Sequence, residues 1–569
     1  MPKKIILTIL VLLFAFLICS SVSAANGTTK QINLNTSGGQ PNGNVLNPVI
    51  SPDGNYIVYS SDANNLVTND TNGKSDIFVF NNYNNQTSRI SVNSANGQSN
   101  GNSYNPSINS NGRYIAFDSV ADNLVPLDTN RCSDIFIRDM WTGTITRIGF
   151  NSTVLQLNGN SYNPSISGDG RYIAYEFYNA VLGGSYGNSS IYLYDRIFGN
   201  TTIVSSGSDS TNPCISTIGN YVAYDSYVNK VVYPDKNNIR DIIRYSIVDG
   251  AKITVSVDSY GKDADGSSYN PSINSDGTII AFQSNANNLC PGDTAGNSDV
   301  FVHNTKTGIT SRVSVSSSNQ QANGASVNPS INADGLYVIF YSFASNLVNG
   351  DTNGVSDIFM HDMITGNTKR ISVDSMVNQI SEGTGMPNIS SNGIYAVFLL
   401  EPSIDSGYTK VLFHDCRNIN PSFTINQIKA AATTVRANIE NGQKLPDKVT
   451  IAGIDVTMPQ FLEILTRALL HINQGNNDTI PLFSFSAPTS PIDNIHTGNI
   501  QKTEYLKIAN DIKNYMDNSG KTPDFAYKTS LGTYMGFQNL VYMYSMILDY
   551  YNTSGKNAAY ATMKPWSKI

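Results

Sequence analysis

Through most of the chain, apolar and polar residues alternate in short bursts separated by Gly- and Asn-rich punctuation. In Arg113-Tyr-Ile-Ala-Phe-Asp118, Asp134-Ile-Phe-Ile-Arg-Asp139 and Thr144-Ile-Thr-Arg-Ile-Gly149 the alternation has the period of a half-buried strand. Ser110-Asn-Gly112 and Trp141-Thr-Gly143 between them are turn sequences, in which glycine is free to take a positive φ. A shorter stretch, Asn105-Pro-Ser-Ile-Asn109, opens the unit and supplies a fourth strand. The same opening stands at Asn47, Asn105, Asn163, Asn212, Asn270 and Asn328, and Met386-Pro387 makes a seventh. All but one of the steps between them are equal, the exception being the shorter one from Asn163 to Asn212. One four-stranded unit repeated seven times predicts a β-propeller.

The spacing also predicts how the ring closes. A β-branched residue of the fourth strand lies at a constant distance before the next unit's proline at Ile90, Ile148, Val255, Val313 and Ile371. The seventh unit runs through Asn388-Ile-Ser, Ile394-Tyr-Ala-Val-Phe398 and Lys410-Val-Leu-Phe-His414, and then lacks a fourth strand. Thr29-Lys-Gln-Ile-Asn-Leu-Asn35 matches Thr368-Lys-Arg-Ile-Ser-Val-Asp374, and Ile32 precedes Pro48 by that same distance. The N-terminal strand is therefore expected to complete the last blade, removing the exposed edges an open array would leave.

From Pro421 the period changes to that of a helix. Thr424 and Gln427 form a capping box ahead of Ile425, Ile428, Ala432, Val435 and Ile439. An extended stretch, Val449 to Val456, leads to a second cap at Thr457 and a helix over Phe461 to Ile472. The scheme recurs further along the chain: Tyr505, Ile508, Ile512 and Met516 give the stripe, Lys521-Thr-Pro523 answers Lys444-Leu-Pro446, and Met535 answers Met458. The fold class is thus mainly β, a seven-bladed propeller over 25–417 plus a small, mostly α repeat domain. Its repeats lie at 422–473 and 503–552, with a Pro/Ser-containing linker at 474–502 and a tail at 553–569. Each repeat is short, so the two are expected to pack together. Tyr542, Tyr544, Tyr550 and Tyr551 read as core with one wet edge.

Asn-Pro-Ser-Ile-Asn-Ser-Asp-Gly-x-x-Ile-Ala-Phe, as at Asn270 to Phe282, resembles the TolB-like β-propeller repeat, which implies the WD-type fold but no one function. Glu504-Tyr-Leu-Lys-Ile-Ala-Asn-Asp-Ile-Lys-Asn-Tyr-Met516, Gly520-Lys-Thr-Pro-Asp-Phe-Ala526 and Leu540-Val-Tyr-Met-Tyr-Ser-Met-Ile-Leu548 closely resemble the pseudomurein-binding repeat. That resemblance implies attachment to pseudomurein, the cell-wall polymer of certain methanogenic archaea, and an archaeal source. The family also joins these repeats to a cysteine peptidase. Here Cys132, Cys214, Cys290 and Cys416 all fall within blades, leaving no segment for such a domain.

Composition narrows the setting. Lys3 and Lys4, the apolar run Ile5 to Ile18 and the small residues Val22-Ser-Ala24 are expected to be a signal peptide over 1–24 of an exported, extracellular protein, for which the repeat resemblance implies a cell-wall-associated location. No later run is apolar enough to span a membrane. Sequons such as Asn35, Asn69, Asn85 and Asn388 leave glycosylation open. The chain carries −7 overall, concentrated in the repeats, whereas in 421–569 basic residues slightly outnumber acidic ones. That balance argues against nucleic acid as a partner of the propeller and admits cations or neutral sugars. The cysteines show no paired spacing for a disulfide framework or a zinc site.

The innermost strands contain no Asp, Glu, His, Lys or Arg, so the channel wall lacks the paired carboxylates that glycoside hydrolysis needs. The turn aspartates Asp53, Asp169, Asp276 and Asp334 read as structural. No enzyme, no catalytic residue and no cofactor are expected; a pseudomurein-modifying hydrolase with a site in the propeller is the alternative. One metal site stays open. The loop Asp70-Thr-Asn72-Gly-Lys-Ser-Asp76 recurs as Asp351-Thr-Asn353-Gly-Val-Ser-Asp357; its oxygens have the spacing a structural Ca2+ uses, but without a glycine at position six or a distal bidentate Glu the loop reads better as an Asx-turn. For the polymer, Lys444, Asp447, Lys521 and Asp524 occupy matching places in the two loops, as wall contacts or as solvated charges. The expected function is a non-enzymatic surface protein held on pseudomurein, its propeller a scaffold for a protein or glycan ligand.

Overall fold

The computed structural model describes residues 29–149, 158–180, 186–206, 209–227, 239–293, 296–374, 378–402, 407–416, 422–442, 444–451, 454–476, 479–483, 485, 487–519 and 521–566. The expected signal segment lies outside them. Seven four-stranded antiparallel sheets form a ring. In the first blade the strands run Val45–Ile50, Tyr56–Ser61, Asp76–Asn81 and Gln86–Arg89, innermost to outermost. The seventh has Thr384–Ile389, Tyr395–Leu400 and Lys410–Asp415, and its outer strand is Thr29–Gln31 from the other end of the chain. Thr29 pairs with His414, Lys30 with Phe413 and Gln31 with Leu412, so the ring closes as the spacing predicts.

One detail differs from the sequence reading. Asn-Pro does not open the inner strand but sits inside it as a bulge, where the register slips between Leu46 and Val49, and between Tyr104 and Ser107. The six asparagines and Met386 all have φ between 48° and 53°. Asparagine tolerates that left-handed backbone, and the proline beside it has no N–H to leave unpaired in the bulge.

Blades adhere through shared apolar layers. Val58 and Ile77 of the first blade pack with Ile115, Phe117 and Phe136 of the second, and the other interfaces repeat the scheme. The turn glycines close this contact. A Cβ on Gly112 (φ 70°) would come within 2.5 Å of the Tyr56 ring of the preceding blade. A polar tie crosses three outer interfaces. The Nδ1 atoms of His303, His361 and His414 each lie 2.8 Å from a threonine hydroxyl, on Thr310, Thr368 and Thr29 respectively. These hydroxyls donate to the carbonyls of Val257, Val315 and Val373 in the preceding blades, so each imidazole must donate from Nδ1. In the second blade Arg138 makes the equivalent reach to the Val92 carbonyl at 3.2 Å.

The C-terminal residues form one module with one core. Helix α1 (Ile425–Gly442), α2 (Met458–Gln474), α3 (Lys502–Ser519) and α4 (Phe537–Ser554) are joined by the hairpins Lys448–Ile451/Ile454–Thr457 and Phe525–Thr529/Gly532–Gly536. Residues 474–502 are more than a linker: Phe483, Phe485, Ile495 and Ile500 are buried in the shared core, because this stretch carries its own apolar side chains. The tail is likewise built in, as Tyr560–Met563 pairs with Gly498–Gln501. Tyr542 and Tyr544 are buried and Tyr550 is exposed, as the core reading expects. Ile394, in a turn of the seventh blade, joins the module's apolar cluster, and Tyr395, which opens the next strand, packs against it.

Candidate functional site

Three features of the described residues bear on ligand or ion binding; a smaller hollow of about 360 Å³ lies beside Arg436, Tyr550 and Tyr560 of the C-terminal module. The first is the central channel, about 420 Å³, whose wall is the seven Asn-Pro or Met-Pro triplets. Immediately behind it, the second strands of three successive blades carry Asp118, Glu176 and Asp225, each buried. Their carboxylates accept from Asn105, Asn163 and Asn212 side chains at 2.8 Å, and from the backbone N–H of the next blade's asparagine at 2.7–3.2 Å. Burial pushes the Asp118 carboxyl up to about 7 and raises that of Glu176, while the asparagine bonds pull both the other way. These acids brace the bulges. The sequence signal was an acid at one fixed offset after each of these three asparagines, inside an otherwise apolar strand.

The second feature is the Asp loop. Arg89, from the outer strand, brings its guanidinium 2.8 Å from Asp70 and 3.4 Å from Asp76, and the Asn72 amide donates to Asp76 at 2.8 Å. Arg370 stands 3.6 Å from both Asp351 and Asp357, with Asn353 3.2 Å from Asp357. The oxygens whose spacing suggested a cation thus face a cation of the chain itself. Among the described residues no group of three or more His, Cys, Asp or Glu is placed to hold a metal ion. The four cysteines of the blades are free thiols.

The third feature is a groove of about 730 Å³ in the second repeat of the module. One wall is α3, with Glu504, Lys507, Asp511 and Tyr515; the other is the loop and strand from Pro523 to Lys528. Ile508 and Ile512, both buried, form the floor of the groove on the same wall, while Tyr505 and Met516 turn into the core and fix the rotation of α3. Phe525 and Tyr527 are held by Tyr534 across the hairpin, with ring centroids 4.6 and 5.7 Å away.

Of the four residues singled out for polymer contact, one lines the groove. Asp524 sits at its edge, accepting from the Thr489 and Ser490 N–H groups at 2.6 and 2.9 Å. Lys521 turns instead to the propeller and pairs with Asp276 at 3.1 Å, an oxygen it shares with Lys306 at 3.3 Å. Burial opposes ionisation of Asp276, but the Thr278 hydroxyl and the two ammonium groups outweigh it and hold the carboxyl well below its ordinary range. Lys444 and Asp447 lie on the first repeat, away from the groove. The groove's aromatic residues escaped the sequence reading because they are where the two repeats differ.

No family model matches this chain, and neither does any curated protein. Solved structures similar to it include the β-propeller domain of the trilobed protease from Pyrococcus furiosus, at 13% identity and TM-score 0.44, covering 66% of this chain and 94% of that one. TolB from Acinetobacter baumannii is similar at 17% identity and TM-score 0.33, over 58% of this chain and 64% of that one. An oligogalacturonate lyase in complex with manganese is similar at 10% identity and TM-score 0.44, over 69% and 96% of the respective chains. TolB-like propellers thus stand beside enzymes among them, and the likeness concerns the propeller fold.

Proposed function

We propose that this chain is a non-enzymatic surface protein whose C-terminal module attaches without covalent bonds to pseudomurein, while the propeller serves as a binding scaffold. The observation that carries the reading is the open aromatic groove between α3 and the loop that follows it, in the segment whose sequence resembles a pseudomurein-binding repeat. On the propeller, hairpin tips of successive blades expose Tyr83, Trp141, Phe198 and Val248, large apolar side chains that suit a partner surface. The hydrolase alternative needs free carboxylates at the channel, and Asp118, Glu176 and Asp225 are engaged by the asparagine ring. Export and wall association follow from the signal-like N-terminus and the repeat resemblance.

The test is retention on purified wall sacculi. The full chain should be retained, and a chain ending at residue 417, which keeps all seven blades, should not. Equal retention of the two overturns the anchor assignment. Release of soluble sugar or peptide from the sacculi would favour the hydrolase.

A further inference from the structure

We propose that the second repeat of the module builds an aromatic ligand groove whose ring positions the first repeat does not share, and that this groove takes a neutral glycan chain. The inference rests on the wall-attachment reading and specifies its site and ligand class.

The two repeats share one register, so their differences can be read position by position. Tyr515, Phe525 and Tyr527, which line the groove, correspond to Asn438, Lys448 and Thr450 in the first repeat. There the hairpin satisfies itself: Lys448 pairs with Asp455, and the Thr450 hydroxyl donates to Asp455 at 2.8 Å. In the second repeat the same face presents rings to water. Tyr527 is 59% exposed and Tyr515 47% exposed. Tyr534, packed on both Phe525 and Tyr527, pre-sets their orientation, which lowers the ordering cost of binding.

The charges of the groove point to the ligand class. Lys507 pairs with Asp511 at 2.6 Å, and Glu504 accepts the Ser530 N–H at 2.6 Å. Asp524 is occupied by two backbone N–H groups, and the Lys528 ammonium lies 5.2 Å from the centre of the Tyr527 ring. What the groove offers is therefore flat apolar rings with hydroxyl edges, flanked by one Lys507–Asp511 pair, two carboxylates that accept backbone N–H groups and a lysine over the Tyr527 ring. A pyranose presents the complement: one face of C–H groups to stack on a ring, and a rim of hydroxyl or acetamido groups for the edges. A charged peptide would have to compete with these contacts for its counter-charges.

The full chain can be titrated calorimetrically with chitotetraose, with peptide-free glycan strands from pseudomurein, and with its stem peptides. Glycan strands should bind, and Tyr527→Ala should weaken them roughly tenfold or more, as loss of a central aromatic anchor does. Tyr515→Ala should weaken them in the same direction, and Thr450→Ala should leave affinity within about twofold, the size of a peripheral contact. An unchanged thermal midpoint in these variants separates lost contact from lost fold. Binding of stem peptide without glycan overturns the ligand class, and equal losses from Thr450→Ala and Tyr527→Ala overturn the assignment of the groove to the second repeat. Glycan binding that depends on Tyr527, without retention on sacculi, would uphold the groove while removing the wall reading.

Discussion

Acid should loosen the propeller at its last blade contact, and His414→Gln isolates the effect. The His414 imidazole is buried and donates from Nδ1 to Thr29, and among the described residues its Nε2 has no hydrogen-bond partner. Protonation would place an N–H⁺ there with no acceptor. Burial lowers its pKa from 6.5 to about 4, although Asp415 beside it works the other way. Because the folded value lies below the unfolded one, the unfolded chain binds the extra proton first as pH falls. The stability this group confers is complete well above pH 6.5 and is lost as pH falls toward 4. Linkage gives a loss of roughly 2.5 kcal/mol by pH 4.5 and a full loss of about 3 kcal/mol in stronger acid.

Asp118, pushed up to about 7, has the opposite sign: its contribution is present at low pH and is lost as pH rises toward 7. That contribution is common to both proteins and cancels in their difference. The assay is guanidinium unfolding of wild type and His414→Gln at pH 7.5 and 4.5, each in a Trp566→Phe background so that fluorescence reports Trp141 in the second blade. The stability gap should shrink in acid by roughly 2.5 kcal/mol. A gap that stays flat, or widens in acid, would refute the argument.

Other perturbations test other parts of the ring. Arg89→Met leaves Asp70 and Asp76 buried without their cation and should cost about 3–5 kcal/mol in the same unfolding assay. For the same reason a chelator should leave the wild-type thermal midpoint unchanged; a fall of several degrees would restore the Ca2+ reading of these loops. Met386 holds φ 49° where the other blades have asparagine, so Met386→Gly should raise stability by roughly 1 kcal/mol. Deleting residues 29–32 removes the outer strand of the seventh blade and should lower the midpoint and promote self-association on size exclusion, by exposing a strand edge.

Much of the fold was legible because a propeller is built from local signals repeated. Gly at Gly112 or Gly170 marks a turn wherever it recurs, and the fixed offset of Ile32 from Pro48 located the closing strand across the whole length of the ring. The helices of the module were readable from the buried stripes Ile428, Ala432, Val435 and Tyr505, Ile508, Ile512. Less visible was the building of 474–502 into the core, since Phe483 and Phe485 have neither a helical nor a strand period of useful length.

By itself, the sequence determined the number of blades, the strand that joins the chain's beginning to its last blade, and the duplication in the module, because period and spacing are properties of the chain alone. Tertiary structure decided what the charged and aromatic residues do. Arg89 meets Asp70 from a different strand, Asp118 braces a bulge in the next blade, and Lys521 reaches from the module to Asp276 on the propeller, so none can be assigned from its neighbours. The groove follows the same rule. Tyr515 and Tyr527 belong to different elements, and only the packing of α3 against its loop brings them to one surface.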